Sequence, residues 1–304
     1  MSLPERAHKA RGLSLWATHS ALVLVQAAFA VGAVEGKLAM RPAVAGGAGV
    51  DPFALALIRM VGAAIFFQIV TRALGRLRAI ALPEHIRIAG LSLLGIVLNQ
   101  TLFLVGLRIT TAFAAALLGA CIPVFTAALA IAVGVERASA RLAVGLALAL
   151  TGIVWLTGIG ELDWGAVAIA CNCFSYALYI VLSKQVIARV GALTLVTWMF
   201  TWAALMFAPI GGRALAVGAV TWEPRAWILV AIIVLVPTIV AYSANAWALG
   251  RSTPTLVTIY IYLQPLLAAA LQWVQLGEPV VTRALVAAVF IFVGVSLVAL
   301  RPAA

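Results

Sequence analysis

Acidic residues are what this chain has least of: nine Asp and Glu in 304 residues, with charged residues of both signs making up 10%. A soluble domain of this length needs a charged surface, and one core cannot bury a chain that is 65% hydrophobic. A soluble globular fold is excluded, and a mean hydropathy of +1.16 makes lipid the solvent. Histidine and cysteine are equally sparse, three of each. Cys121, Cys171 and Cys173 sit in apolar stretches without a His or carboxylate beside them. They read as small buried hydrophobes, not as a metal site or a disulfide framework. His8, His19 and His85 stand far apart, near the ends of apolar runs. No His-Glu-x-x-His, Gly-x-Ser-x-Gly, P-loop or strand–helix Gly-x-Gly-x-x-Gly occurs. Nothing indicates a catalytic residue, a metal or a cofactor. The alternating pattern of a β-barrel is also missing, since the apolar runs are long, continuous and rich in Leu and Ala.

Those runs define the fold class: all-α integral membrane, with ten transmembrane helices. A spanning helix needs roughly 20 apolar residues. The segments are 14–35, 52–72, 85–107, 111–133, 140–158, 164–187, 193–211, 226–249, 253–276 and 280–300. Asp51-Pro52 reads as an N-cap followed by proline at the first helical position. Gly211-Gly212-Arg213 reads as the end of the seventh helix. Met1 to Gly12 is polar and basic, and the apolar run after it lacks a clear cleavage site, so the first helix is expected to be retained.

A net charge of +11 would suggest nucleic acid if it formed one patch. The basic residues instead sit at helix ends and give topology. With the N-terminus inside, about thirteen Lys and Arg are inside and about six outside. Glu35, Asp51, Glu161, Asp163, Glu223 and Glu278 fall outside. Both termini are therefore expected to be cytoplasmic. No nucleic-acid partner is indicated, and the connecting segments are too short to suggest a protein partner, which is compatible with a monomer.

The second half repeats the first at an offset of 142 residues. Leu107 pairs with Leu249, Thr111 with Thr253, Pro123 with Pro265, Leu129 with Leu271, Glu136 with Glu278, Arg141 with Arg283 and Gly152 with Gly294. Five helices per half is an odd number, so the second half enters the membrane from the opposite side. Two inverted five-helix repeats, 14–158 and 164–300, around a central cavity are expected, as when one site must face each side in turn.

Intramembrane polar groups cost free energy unless satisfied, so they locate the candidate site. Gln26, Asn99, Gln100, Asn172, Tyr176, Tyr179, Tyr242, Asn245, Tyr260 and Gln264 lie away from helix ends. Asn172, Tyr176 and Tyr179 share one face by spacing, as do Tyr242 with Asn245 and Tyr260 with Gln264. Each single residue on its own reads more readily as interhelical glue than as a substrate contact; the set, with Trp198 and the repeat, describes a polar-aromatic substrate cavity. Arg59 lies seven residues past Pro52, ~10 Å below the outer helix start. It is either a counter-charge or gate for a substrate carboxylate, or an arginine that snorkels or is ion-paired with Glu35 or Asp51. No acid sits at mid-membrane, which disfavours lipophilic cations and proton antiport. Pro123 and Pro265 each free a carbonyl inside a helix, at matched positions; they are candidate hinges or static kinks. Gly145, Ala149 and Gly152 form a small-residue stripe suited to helix packing.

These residues resemble the drug/metabolite transporter superfamily, specifically its ten-helix EamA-type exporters. The resemblance runs from about Leu15 to Leu300. Phe174 to Lys184 is similar to the family's sixth helix and Ala241 to Leu249 to its eighth. Tyr262-Leu-Gln-Pro265 with Gly277-Glu278-Pro279 and Gly294 is similar to its ninth and tenth, and Asp51-Pro52 with Arg59 to its second. The resemblance implies inverted halves, alternating access, a bacterial inner membrane and export of small metabolites, often amino acids, aromatic and neutral ones among them. The expected function is outward transport of small neutral or zwitterionic metabolites, amino acids first, with no enzymatic activity. The alternatives are a multidrug exporter of lipophilic cations, which would need a buried acid in the cavity, and a non-transporting scaffold with a filled core.

Overall fold

The computed structural model describes residues 3–134, 140–157, 164–218, 221–252, 254–277, 279 and 282–299. Every regular element among the described residues is helical. In chain order they are α1 (Leu3–Met40), α2 (Pro52–Ala73), α3 (Leu82–Ile109), α4 (Ala112–Ala132), α5 (Ala140–Thr157), α6 (Trp164–Val190), α7 (Ala192–Gly218), α8 (Pro224–Arg251), α9 (Leu256–Leu276) and α10 (Thr282–Ala299). Eight of these helices, all but α5 and α10, are long and apolar enough among the described residues to cross a membrane. α5 and α10, with 18 residues each, pack against one another. Gly145 and Gly152 of α5 and Gly294 of α10 are buried. Small residues let helix backbones approach closely where lipid supplies no hydrophobic drive. Glu136, Thr253 and Glu278 lie outside the described residues, as do the side chains of Arg141, Ala149 and Arg283.

Local chemistry explains the boundaries. Asp51 Oδ1 accepts from Phe53 N at 2.8 Å and Ala54 N at 3.3 Å, and Pro52 opens α2. Thr111 Oγ1 accepts from Ala114 N at 3.1 Å and starts α4. Gly191, at φ +87°, separates α6 from α7. Most limits move by a few residues from those read in the sequence, and two move further. α1 begins at Leu3, inside the polar basic segment. α7 runs through Gly211-Gly212-Arg213 to Gly218, and Gly211 there serves packing and not termination. A Cβ on Gly211 would stand 2.6 Å from Leu57 Cβ of α2.

The repeat reappears in the irregularities. α3 carries a π-helical segment at Leu93–Leu98 and α8 one at Leu235–Val240, again 142 residues apart. Such segments shift the register of the side chains that follow and often mark functional sites. α4 breaks between Gly119 and Ile122, and α9 tightens to a 3-10 turn at Tyr260–Tyr262, at matching places in the two halves. The two π segments meet their neighbours in complementary ways. A Cβ on Gly95 would lie 2.5 Å from the Tyr179 ring of α6, and a Cβ on Gly32 of α1 would lie 2.6 Å from Pro237. Each contact sets a glycine of the first half against a bulky residue of the second, the glycine lying in the π segment in one case and in the neighbouring helix in the other.

Two lysines tie the halves together internally. Lys37 Nζ donates to Leu107 O at 3.1 Å, Arg108 O at 3.0 Å and Thr110 O at 2.6 Å, satisfying carbonyls at the end of α3. Lys184 Nζ donates to Leu249 O at 2.6 Å and to Ser252 O at the end of α8. Leu249 and Ser252 are the 142-residue counterparts of Leu107 and Thr110. The two clamps lie at opposite ends of α6. A Cβ on Gly106 would stand 2.8 Å from Gly165 O, which puts the Lys37 clamp level with the start of α6. Lys184 is 19 residues further along that helix, ~28 Å away.

Candidate functional site

A cavity of ≈ 80 Å³ lies between the halves, room for roughly half a dozen waters. α1 contributes Gln26, Phe29 and Gly32; α2 contributes Arg59; α3 contributes Asn99, Gln100 and Phe103. Ala115, Gly119 and Ile122 come from α4, Asn172 and Tyr176 from α6. α8 supplies Pro237, Tyr242 and Asn245, and α9 supplies Val257, Thr258, Ile261 and Gln264. Pro237 of the second π segment, Gly119 and Ile122 at the break in α4, and Ile261 of the 3-10 turn in α9 border this space. Asn99 and Gln100 follow the first π segment directly, and Tyr242 follows the second.

Eight of the polar residues selected from the sequence are thus brought to one cavity with Arg59: Gln26, Asn99, Gln100, Asn172, Tyr176, Tyr242, Asn245 and Gln264. Several bond one another. Asn245 Nδ2 donates to Tyr176 OH at 2.9 Å, and Asn172 Nδ2 to Asn99 O at 2.6 Å. Tyr242 OH donates to Asn99 Oδ1 at 3.0 Å, with Gly95 O at 3.2 Å. Others do not. Gln26 and Gln100 are each 1% exposed. Among the described residues the Oε1 of Gln26 and both amide atoms of Gln100 make no hydrogen bond of ordinary geometry, although the Tyr242 hydroxyl lies against Gln100. A buried polar atom left unpaired costs about 1–3 kcal/mol, so native structures rarely keep one without a reason.

Arg59 is 6% exposed. Neither Glu35 nor Asp51 pairs with it. Its Nε donates to Thr238 Oγ1 at 2.9 Å, and Thr238 in turn donates to Ile233 O at 2.8 Å across the second π segment. Asp51 instead faces Arg108, at 4.0 Å. Among the described residues no carboxylate pairs with Arg59, and no carboxylate lines the cavity. Glu35 is 9% exposed and lies three residues beyond Gly32 on α1, outside the lining.

Three selected residues lie elsewhere. Tyr179 is 1% exposed and fills the space left by Gly95, behind Tyr176, whose ring centroid is 5.5 Å away. Trp198 packs edge-on to His85 at 4.5 Å, near the start of α3. Tyr260 hydrogen-bonds His19 of α1. Pro123 and Pro265 fall just after the breaks in α4 and α9, in the first turns of the continuing helices. Of the cysteines, Cys121 and Cys173 are buried, whereas Cys171 faces outward. The residues missed in the sequence are mostly apolar. Phe29 lies one turn from Gln26, and Phe103 one turn from Asn99, so helical spacing from the polar seeds would have found them.

The helices, their apolar surfaces and the internal cavity define a multi-pass membrane transporter. The chain belongs to the EamA-like transporter family, which matches residues 18–158 and again 163–300. Similar proteins include an uncharacterized transporter of Archaeoglobus fulgidus, 25% identical over 75% of this chain and 81% of its own length. The uncharacterized transporter YdfC of Bacillus subtilis is 27% identical over 77% of each chain. A WAT1-related protein of Arabidopsis thaliana is 24% identical over 91% of this chain and 82% of its own. A solved crystal structure shares the fold with a TM-score of 0.61 at 17% identity, over 91% of this chain and 97% of that one.

Proposed function

We propose that this chain exports small neutral or zwitterionic metabolites, amino acids first among them, across a bacterial inner membrane. In this reading the halves are inverted five-helix repeats, ten spans in all with both termini cytoplasmic, and transport proceeds by alternating access. The lysine clamps at opposite ends of α6 support the inversion, since equivalent parts of the two halves then face opposite sides. Arg72 at the end of α2, Arg87 at the start of α3 and Arg189 at the end of α6 support the orientation.

One observation carries the substrate class. Arg59 stands in a cavity whose described lining holds no carboxylate, beside the incompletely bonded amides of Gln26 and Gln100. A substrate carboxylate would neutralise the guanidinium, and the two amides would take its remaining polar hydrogens and lone pairs. Phe29, Phe103, Tyr176 and Tyr242 leave an apolar and aromatic remainder for a side chain. With no acid among the described lining residues to exchange a proton for substrate, facilitated diffusion suffices as the mechanism.

The test is counterflow uptake in proteoliposomes with a panel of radiolabelled amino acids, with and without a pH gradient. Uptake of a subset without a gradient is the expected result. No amino-acid uptake under either condition sinks this reading. Saturable uptake of lipophilic cations, abolished by Glu35→Gln, would establish the multidrug reading in its place.

A further inference from the structure

A second site, remote from the cavity, lies where the start of α3 meets the end of α6. Glu84 accepts from Arg87 Nη1 at 2.8 Å and from Arg189 Nε at 2.8 Å. Arg78, in the connector before α3, places its Nη1 3.2 Å from Arg189 O. Two guanidiniums therefore share one carboxylate, with a third, that of Arg78, held on the adjoining carbonyl, and the cluster keeps an excess of positive charge. Directly beneath it runs a groove of ≈ 360 Å³ lined by Arg87, Leu91, Leu182, Gln185, Val186 and Arg189.

The lining is graded along the helices. On α3, Leu91 lies one turn deeper than Arg87, ~6 Å. On α6, Val186 and Leu182 lie ~4.5 and ~10 Å deeper than Arg189. Both helices thus present a cation at the membrane edge and aliphatic groups below it. Leu182 is 43% exposed, so the groove opens sideways towards the acyl chains.

We infer that this groove binds an anionic membrane phospholipid, with its phosphate on Arg87 and Arg189, its glycerol oxygens on the Gln185 amide, and an acyl chain along Leu91, Val186 and Leu182. The charge excess selects the headgroup. A zwitterionic lipid would bring its own cation up against the guanidiniums, whereas an anionic one completes their neutralisation. The surroundings reinforce this, since Arg72 and Arg76 lie in the same α2–α3 region. A soluble phosphate would use only the upper half of the site, leaving the groove unfilled.

Native mass spectrometry of the detergent-purified protein, titrated with phosphatidylglycerol or phosphatidylcholine of equal chain length, tests the assignment. Wild type should retain phosphatidylglycerol preferentially, with a rise in thermal midpoint. Arg87→Gln/Arg189→Gln should weaken retention about tenfold or more, and Arg225→Gln, at the start of α8, should leave it unchanged. Leu182→Trp fills the groove without touching the charges and should also abolish retention, which keeps the test decisive if the double variant folds poorly. Equal retention of the two lipids, or retention unchanged in both groove variants, overturns the proposal. Stabilisation by glycerol phosphate alone, matching that by the lipid, overturns it in favour of a soluble anion.

Discussion

The two kinds of polar residue around the cavity are finished differently. Asn172, Tyr176, Tyr242 and Asn245, all from the second half, are tied to one another or to Asn99 and Gly95 of α3. Gln26 and Gln100, from the first half, keep amide atoms without a hydrogen bond of ordinary geometry, and Arg59 is held through Nε alone. A bonded group fixes the shape of a wall because its hydrogen bonds are already used. An unbonded one is held at a cost that a ligand can recover. The second half therefore supplies a rigid aromatic surface, and the first half supplies the groups with bonds to give.

The largest departure from this contrast should follow removal of the charge. Arg59→Ala is expected to lower kcat/KM for carboxylate-bearing substrates by about 30-fold or more, since hydrogen bonds to charged groups contribute ~1.5–3 kcal/mol. Expression and thermal midpoint should be preserved, and Arg59→Lys should restore part of the rate. Loss of folded protein in Arg59→Ala would instead assign the arginine a structural role.

Next comes the packing that supports the rigid wall. Gly95→Val should destabilise the protein by about 1–3 kcal/mol, because its Cβ would meet the Tyr179 ring at 2.5 Å. The thermal midpoint in detergent reads this, and Gly90→Val, with open space around its Cβ, is the matched control.

Truncating the two lysine clamps should have similar consequences to one another. Lys37→Met and Lys184→Met each strand helix-end carbonyls and should each cost about 1–3 kcal/mol. A loss confined to one of them would show that the clamps are not equivalent despite their matched acceptors.

The finest test sets an amide of one kind against the other. Asn245→Ala leaves Tyr176 OH without its donor and should lower stability by about 1 kcal/mol with little change in KM. Gln100→Leu removes atoms that make no hydrogen bond of ordinary geometry and should leave stability unchanged or raised, while KM rises several-fold. The reverse pattern would undo the distinction between the two kinds of residue.

Much of this was legible in one dimension. The helices follow from uninterrupted apolar runs, since a backbone in lipid must satisfy itself internally. The polar seeds follow from the same principle, and eight of those named reach the cavity beside Arg59. The residues that went elsewhere show the limit. Tyr179, Trp198 and Tyr260 are aromatic groups at helical spacings that suit a cavity, but spacing gives a face and not what that face meets. Tyr179 was drawn into the gap at Gly95, and Tyr260 towards His19.

The sequence by itself determined that this chain lives in lipid, that it is built twice, and that its interior carries one arginine and several amides. Each follows from short-range properties: hydropathy, recurrence, and the cost of a polar group among hydrocarbon. Tertiary structure alone decided which amides are spent on one another and which stay open, that Thr238 and not a carboxylate holds Arg59, and that a π segment borders the cavity. Those outcomes depend on contacts between residues as far apart as 59 and 238. No local pattern encodes them, because a hydrogen bond is settled only when both partners have been brought within reach.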